Sequence, residues 1–386
     1  MSVTQPKGFR AAGVEAGIRT GERPDLALVV NDGPQHAAAG VFTRNKVKAA
    51  PVLWSEQVLA TGRLRAVVLN AGNANACTGP EGFQTAHATA EKAAELLECG
   101  AVEVAVCSTG LIGSQLPRDN VLGGVAAAHA ALGADAAAGL AAATAVLTTD
   151  TVPKEAGHAD PAGWSIGGFT KGAGMIAPSM ATMLTVVTTD AVLDAPALDA
   201  ALRSAVRVSF DRLDIDGCMS TNDTVLLLAS GASGVEPDPE AFTAALRDLC
   251  KDLARQMQAD AEGVTKRITV RVAGAATEDE AVTVARTVAR DSLVKTALFG
   301  SDPNWGRIAA AVGYSDAQVD PDRIDVTING VQLCRGGVAA ADRSAADLKG
   351  ADVLVEIGLG LGDGAAEILT TDLSHGYVEE NSAYSS

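Results

Sequence analysis

The stretch KGAGMIAPSMATMLTVVTTDA, residues 171–191, runs from a glycine-rich loop into an apolar, β-branched segment, and Thr182 stands where one becomes the other. A threonine hydroxyl is a weak nucleophile at neutral pH and needs a base beside it. Cutting the chain just before the threonine supplies one. The freed α-amino group, with an ordinary pKa of about 7.7–8.0, sits on the same residue. Ala181 is small and leaves its carbonyl accessible, the upstream glycines let the loop expose that carbonyl, and the following segment would hold the threonine rigidly. The same hydroxyl could make the first attack on the Ala181 carbonyl and so release its own amine. The competing reading is a β-branched strand residue with no chemistry.

Other patterns promise less. GWSIG, residues 163–167, has the spacing of a serine nucleophile elbow, but that motif needs a strand before the serine and a helix after it. Here GHADPAG precedes and GFTKGAG follows. GLGLGDG, residues 358–364, follows a strand-like run, yet only 22 residues remain after it, too few for the rest of a dinucleotide-binding unit. It reads as a turn. The five histidines are dispersed and HExxH is absent, so no metal site or cofactor is expected. His375 reads as structural or exposed. The six cysteines (Cys77, Cys99, Cys107, Cys218, Cys250, Cys334) are scattered without a CxxC pair. They read as thiols, several of them buried, in a reducing, cytoplasmic compartment.

The elements that must position Thr182 are built from small residues. Only 3% of the 386 residues are aromatic and 40 are glycine, so alanine-rich helices and tight turns have to make the core. The net charge of -17 repels phosphate backbones and speaks against a nucleic-acid partner. No run approaches the length of a membrane span, and the first 19 residues lack the apolar core of a secretory signal. DLALVV, RAVVLN, VEVAVCS, TVLLLAS, RITVRVAG, RIDVTING and DVLVEIGLG read as strands. AHATAEKAAELLE, APALDAALRSAVRVSF and DPEAFTAALRDLCKDLARQMQAD read as helices, and residues 121–147 as an alanine-rich helical stretch broken near Gly133. Strands and helices do not strictly alternate, which predicts a layered α/β sandwich rather than a doubly wound sheet. VLTTD, VVTTD and ILTTD, ending at Asp150, Asp190 and Asp372, each close an apolar run. They read as strand ends, because threonine favours strands and aspartate favours turns.

KGAGMIAPSMATML resembles the self-processing segment of ornithine acetyltransferases, the glutamate N-acetyltransferases of arginine biosynthesis. GFRAAGVEAGIR, AAAGVFTRNKVKAAPV, LNAGNANACTG, CSTGLIG, TTDTVPK, DGCMSTNDTVLLLASG, AEGVTK, FGSDPNWGRI and DLSHGYVEENSAYSS extend that resemblance in order along nearly the whole chain. One departure is the final Ser386, where the family carries threonine; the hydroxyl is kept.

The resemblance implies an αββα-like sandwich, similar to N-terminal nucleophile hydrolases but distinct in topology. It implies self-cleavage between Ala181 and Thr182 into an α chain, residues 1–181, and a β chain, residues 182–386, which pair into an α2β2 assembly. Thr182 would take the acetyl group of N2-acetyl-ornithine and pass it to glutamate by a ping-pong route. Thr109 and Gly110 match the family's oxyanion hole, and Thr148, Lys171, Thr182, Glu262, Asn381 and Ser386 match its substrate contacts. Elementary electrostatics fits part of this: Lys171 suits an amino-acid carboxylate and Glu262 suits the δ-ammonium of ornithine. Without the resemblance both would read as solvated charges. Trp305 beside Arg307 reads as packing. Four alternatives stay open: a bifunctional enzyme that also uses acetyl-CoA, a self-processing amidase or aminopeptidase, a relative serving a specialised pathway with a broadened acyl acceptor, and a non-catalytic assembly protein.

Overall fold

A computed structural model of the chain describes residues 2–177 and 183–383. They form two compact units, residues 2–211 with 219–257 and residues 212–218 with 258–383.

The first unit holds two sheets. One runs in the order Phe9–Val14, Leu26–Asn31, Ala66–Asn70, Val104–Ser108, with only the last pair parallel. The other runs Ala37–Phe42, Thr224–Ala229, Leu184–Thr189, Ser165–Lys171, Lys154–Ala159. The period-two rule of strands decides which side chain faces which layer. Phe169, Leu184, Val186, Leu226 and Leu228 join one apolar cluster with Leu28, Val67 and Val106 of the first sheet. The alternate residues Thr170 and Thr185 turn the other way. They hydrogen-bond each other at 2.6 Å, and Thr170 reaches Met257 of the helix Pro239–Ala259. Helices Gly79–Leu97 and Arg118–Ala130 pack on the first sheet, and Ala195–Arg207 on the strand Ala37–Phe42. The layering is helices, sheet, sheet, helices, as expected for the αββα class.

Small residues make the close approaches. The stretch 121–147 is two helices, Arg118–Ala130 and Ala136–Ala145, parted around Gly133, and Asp135 caps the second by accepting the Ala138 N–H. That second helix crosses the strand Phe9–Val14 so tightly that a Cβ at Gly13 would lie 2.0 Å from the Ala141 carbonyl oxygen. Only glycine fits such a backbone contact.

The second unit is a six-stranded mixed sheet in the order Val338–Ala339, Val331–Arg335, Asp325–Ile328, Asp352–Gly358, Arg267–Ala275, Gly364–Thr371. The helix Glu278–Arg290 buries Val284, Ala285 and Val288 on it. Trp305 opens a helix and packs against this core, as its packing reading anticipated. GLGLGDG spans the connection between two strands. GWSIG enters the strand Ser165–Lys171, where Ser165 Oγ donates to Asp190, so the serine is structural.

The TTD motifs need correction. VVTTD and ILTTD do end strands, but VLTTD follows the helix Ala136–Ala145. What the three share is a buried aspartate that accepts backbone N–H groups: Asp150 from Thr148 and Gly172, Asp190 from Lys7 and Ser165, Asp372 from Thr265 and Lys266. Each carboxylate ties segments together where no ladder does, and burial is tolerated because its oxygens are satisfied. Among the described residues no helix is long and apolar enough to cross a membrane.

Candidate active site

Lys171 ends the strand Ser165–Lys171 instead of lying in a solvated loop, and it is 1% exposed. Its Nζ donates to Thr148 Oγ1 at 2.7 Å and stands 3.4 Å from Asp150 Oδ2. A second buried lysine, Lys154, opens the neighbouring strand and meets Asp150 Oδ1 at 2.7 Å. The Gly172 N–H also donates to Asp150 Oδ1, at 2.6 Å. Burial alone would penalise the charged form of Asp150, but Lys171 and Lys154 beside it hold its carboxyl well below the usual carboxylate range. Two ammonium groups meet one carboxylate here, away from water. Lys171, which also donates to Thr148, is a cation of the kind that recognises a carboxylate.

Thr109 and Gly110 follow directly on the strand Val104–Ser108. The Thr109 N–H is fixed on the Asn70 carbonyl at 2.9 Å, while its side-chain hydroxyl is buried and has no partner among the described residues. A buried hydroxyl without a partner is costly, and such groups concentrate at functional sites. Gly110 has φ +128°, and a Cβ there would lie 2.4 Å from the Gly72 carbonyl carbon. Glycine alone allows this turn, directly after the residue with the unpartnered hydroxyl.

Asn222 ties this turn to the start of the strand Leu184–Thr189. Its Nδ2 donates to the Ser108 carbonyl at 2.8 Å and the Ala74 carbonyl at 2.6 Å, and the next residue, Asp223, accepts the Met183 N–H at 3.1 Å. Ser108, which precedes Thr109, and Met183 are thereby tied together within the first unit. Ala181, Thr182 and Ser386, named from the sequence, lie outside the described residues.

In the second unit Glu262 is 7% exposed and accepts from Asn381 Nδ2 at 2.8 Å, so two more of the sequence-derived residues meet. The Gly263 beside Glu262 has φ +60°, and a Cβ there would lie 2.0 Å from the Tyr377 backbone nitrogen. That contact seats the helix His375–Ala383, which carries Asn381.

Sequence reasoning passed over Asp150, Lys154, Asn222 and Asp223. TTDTVPK holds the first two at i,i+4, but nothing in its pattern tells that both are buried. Asn222 and Asp223 stand directly before TVLLLA, apolar after its first residue and buried throughout, and two polar residues abutting such a strand were the available signal.

The ArgJ family model matches residues 10–386. The chain belongs to the ArgJ family. The arginine biosynthesis bifunctional protein ArgJ of Mycolicibacterium paratuberculosis is 61% identical over 389 residues, covering 100% of this chain and 96% of that protein. The protein of the same name from Streptomyces coelicolor is 59% identical over 386 residues, with 100% of each covered. The crystal structure of the ArgJ bifunctional protein from Bacillus halodurans is 39% identical, with a TM-score of 0.50, covering 98% of that chain and 52% of this one.

Proposed function

We propose that this ArgJ family chain transfers the acetyl group of N2-acetyl-ornithine to glutamate, releasing ornithine and N-acetylglutamate for arginine biosynthesis. The observation that carries the reading is the family match over nearly the whole chain, with relatives about 60% identical over their full length. The route is ping-pong. The chain first cuts itself between Ala181 and Thr182, and the α-amino group of Thr182 then serves as base for its own hydroxyl. Thr182 attacks the acetyl carbonyl, ornithine leaves, and the glutamate amine takes the acetyl group from acetyl-Thr182. The free Thr109 hydroxyl and the Gly110 N–H are suited to meet the oxyanion. Lys171 and Thr148 take a substrate carboxylate, while Glu262, Asn381 and the terminal Ser386 complete substrate binding.

The α chain of residues 1–181 and the β chain of residues 182–386 stay together and pair as α2β2. A size relation supports the cut: the solved Bacillus halodurans chain is matched over almost all its length yet covers only 52% of this one. Free thiols support a reducing, cytoplasmic setting: Cys107 and Cys250 are unbridged, and burial pushes both up to about 12.

Thr109→Val keeps the side-chain shape and removes the hydroxyl. It slows acetyl transfer by about 10²–10³, the usual cost of one oxyanion donor. A labelled-acetyl assay reads this, and the same preparations on a denaturing gel read self-cleavage. Slowing of both steps indicates one shared oxyanion hole; normal cleavage with lost transfer assigns the two steps to different donors.

A second reading is favoured by the word bifunctional in the relatives' names. In it the same Thr182 also accepts acetyl from acetyl-CoA. Incubating the protein with glutamate and acetyl-CoA, without acetyl-ornithine, decides: sustained N-acetylglutamate formation establishes the second donor, and its absence leaves acetyl-ornithine as the donor.

A further inference from the structure

The strands Ala66–Asn70 and Val104–Ser108 run parallel and stop in register, Asn70 opposite Ser108. Both end residues are buried, and their side chains add one rung beyond the ladder: Ser108 Oγ donates to Asn70 Oδ1 at 2.6 Å. The other half of the same amide reaches the loop that follows, where Asn70 Nδ2 donates to the Asn73 carbonyl at 2.9 Å. The Asn70 backbone carbonyl takes the Thr109 N–H, also at 2.9 Å. The turn that carries Thr109 is laid on this loop. The Asn73 backbone pairs with those of Thr109 and Leu111, the Leu111 carbonyl accepts the Ala74 N–H at 2.9 Å, and a Cβ at Gly110 would lie 2.6 Å from the Asn73 nitrogen. Asn73 Nδ2 then holds the far end of the turn through the Ser114 and Gln115 carbonyls, both at 3.2 Å. Asn70 thus fixes Thr109 twice, directly through its carbonyl and indirectly through Asn73. The Thr109 hydroxyl, by contrast, is buried and has no partner among the described residues. A β-branched side chain has few rotamers, so the backbone decides where that hydroxyl points.

We propose that Asn70 is the positioning residue of the oxyanion turn: its side-chain amide, bonded to Ser108 and Asn73 at once, fixes the backbone from which the Thr109 hydroxyl projects. This rests on the reading of Thr109 as an oxyanion donor given above. The position calls for an amide. The Asn73 carbonyl can only accept and so requires an N–H, while the Ser108 hydroxyl donates and so requires an oxygen; asparagine presents both on one rigid plane. A donor to a developing oxyanion has to be held within about 0.5 Å of its productive place. A hydroxyl with no hydrogen bond of its own draws that precision from its backbone alone. Asn70 therefore acts through Thr109 and not on the reacting atoms.

Asn70→Ala keeps the backbone carbonyl that takes the Thr109 N–H and removes the amide. Transfer of labelled acetyl from acetyl-ornithine to glutamate is followed with each substrate varied in turn, and rates are expressed per mature chain counted on a denaturing gel. The kcat is expected to fall about 100-fold, the cost of a misplacement of about 1 Å. KM for both substrates stays within about threefold of wild type, because the disturbed interaction is made only in the transition state. The same change in a Thr109→Val background is expected to cost less than about threefold more, since residues that act as one unit do not add. Ser108→Ala, which takes only the hydroxyl from the amide, carries the same cycle with a smaller loss should Asn70→Ala yield no mature protein. An equal loss in both backgrounds makes the network a general support of the fold and overturns the proposal. A kcat of Asn70→Ala within about threefold of wild type overturns it as well. A Thr109→Val enzyme as fast as wild type overturns the oxyanion reading of Thr109 itself, and the proposal with it.

Discussion

Thr182→Ala leaves the 386-residue chain whole and abolishes acetyl transfer. The expectation follows from one hydroxyl doing two jobs. In the proposed route it attacks the Ala181 carbonyl to free its own amine, and afterwards it accepts the acetyl group. Alanine has no oxygen, so neither covalent intermediate can form, and no neighbouring base can compensate for a missing nucleophile. Intact mass would show a single species in place of two unequal fragments, the larger beginning at Thr182 in the wild type. Thr182→Ser separates the chemistry from the fold, since it keeps the oxygen and should still cleave. N-acetylglutamate formed from acetyl-ornithine by the alanine variant at more than background would remove Thr182 from the mechanism.

Asp150→Asn is expected to be the most damaging single change to the anion side of the site. The carboxylate is the shared counter-ion of Lys154 and Lys171, and all three side chains are essentially without solvent. Removing one partner of a buried ion pair costs about 3–5 kcal/mol, because the remaining charge is stranded. At about 2–4 °C per kcal/mol for a unit of this size, the melting temperature falls by roughly 10 °C. The pH dependence has a definite sign. A carboxyl held below its ordinary value contributes stability above the unfolded pKa, and loses it as the pH falls through the lower folded value. Wild type and variant should therefore differ most near neutrality and converge in strong acid. Melts from neutrality down into strong acid test this. Asp150→Asn with Lys171→Met, which removes the cation 3.4 Å from the replaced carboxylate, should recover part of the loss. A neutral-pH difference below about 2 °C would show that the trio is solvated after all.

The legibility of the site divides by the kind of signal each residue carries. Strands such as Leu26–Asn31 and Thr224–Ala229 were plain because a run buried on both faces is nearly continuously apolar. The alanine helices were plain as well, since glycine and polar residues punctuate 121–147 at the right place. Thr109, Lys171 and Glu262 could be named only through resemblance to a family. A threonine after VAVCS and a lysine before GAG are ordinary residues until tertiary packing buries them. Asp150 was misread for the same reason. Its motif looked like two others that end strands, but the partners that define it, Lys171 and Gly172, are more than twenty residues away. Charge clusters assembled from distant segments leave no period in the sequence to find.

The strand order of the second sheet in the first unit has a kinetic consequence. Thr224–Ala229 and Leu184–Thr189 lie between Ala37–Phe42 on one side and Ser165–Lys171 with Lys154–Ala159 on the other. A cut between residues 181 and 182 assigns the inner two strands to one product and the outer three to the other, so the products are interdigitated. Neither then owns the whole of this sheet, and each alone would expose unpaired strand edges of the kind that seed aggregation. Assembly is a first-order process while the peptide bond exists and a second-order, concentration-dependent one once it is gone. Unfolding of the mature protein would thus be irreversible in practice, with survival set by the height of the unfolding barrier. Covalent continuity would serve as a disposable template, needed to thread the sheet once and dispensable thereafter.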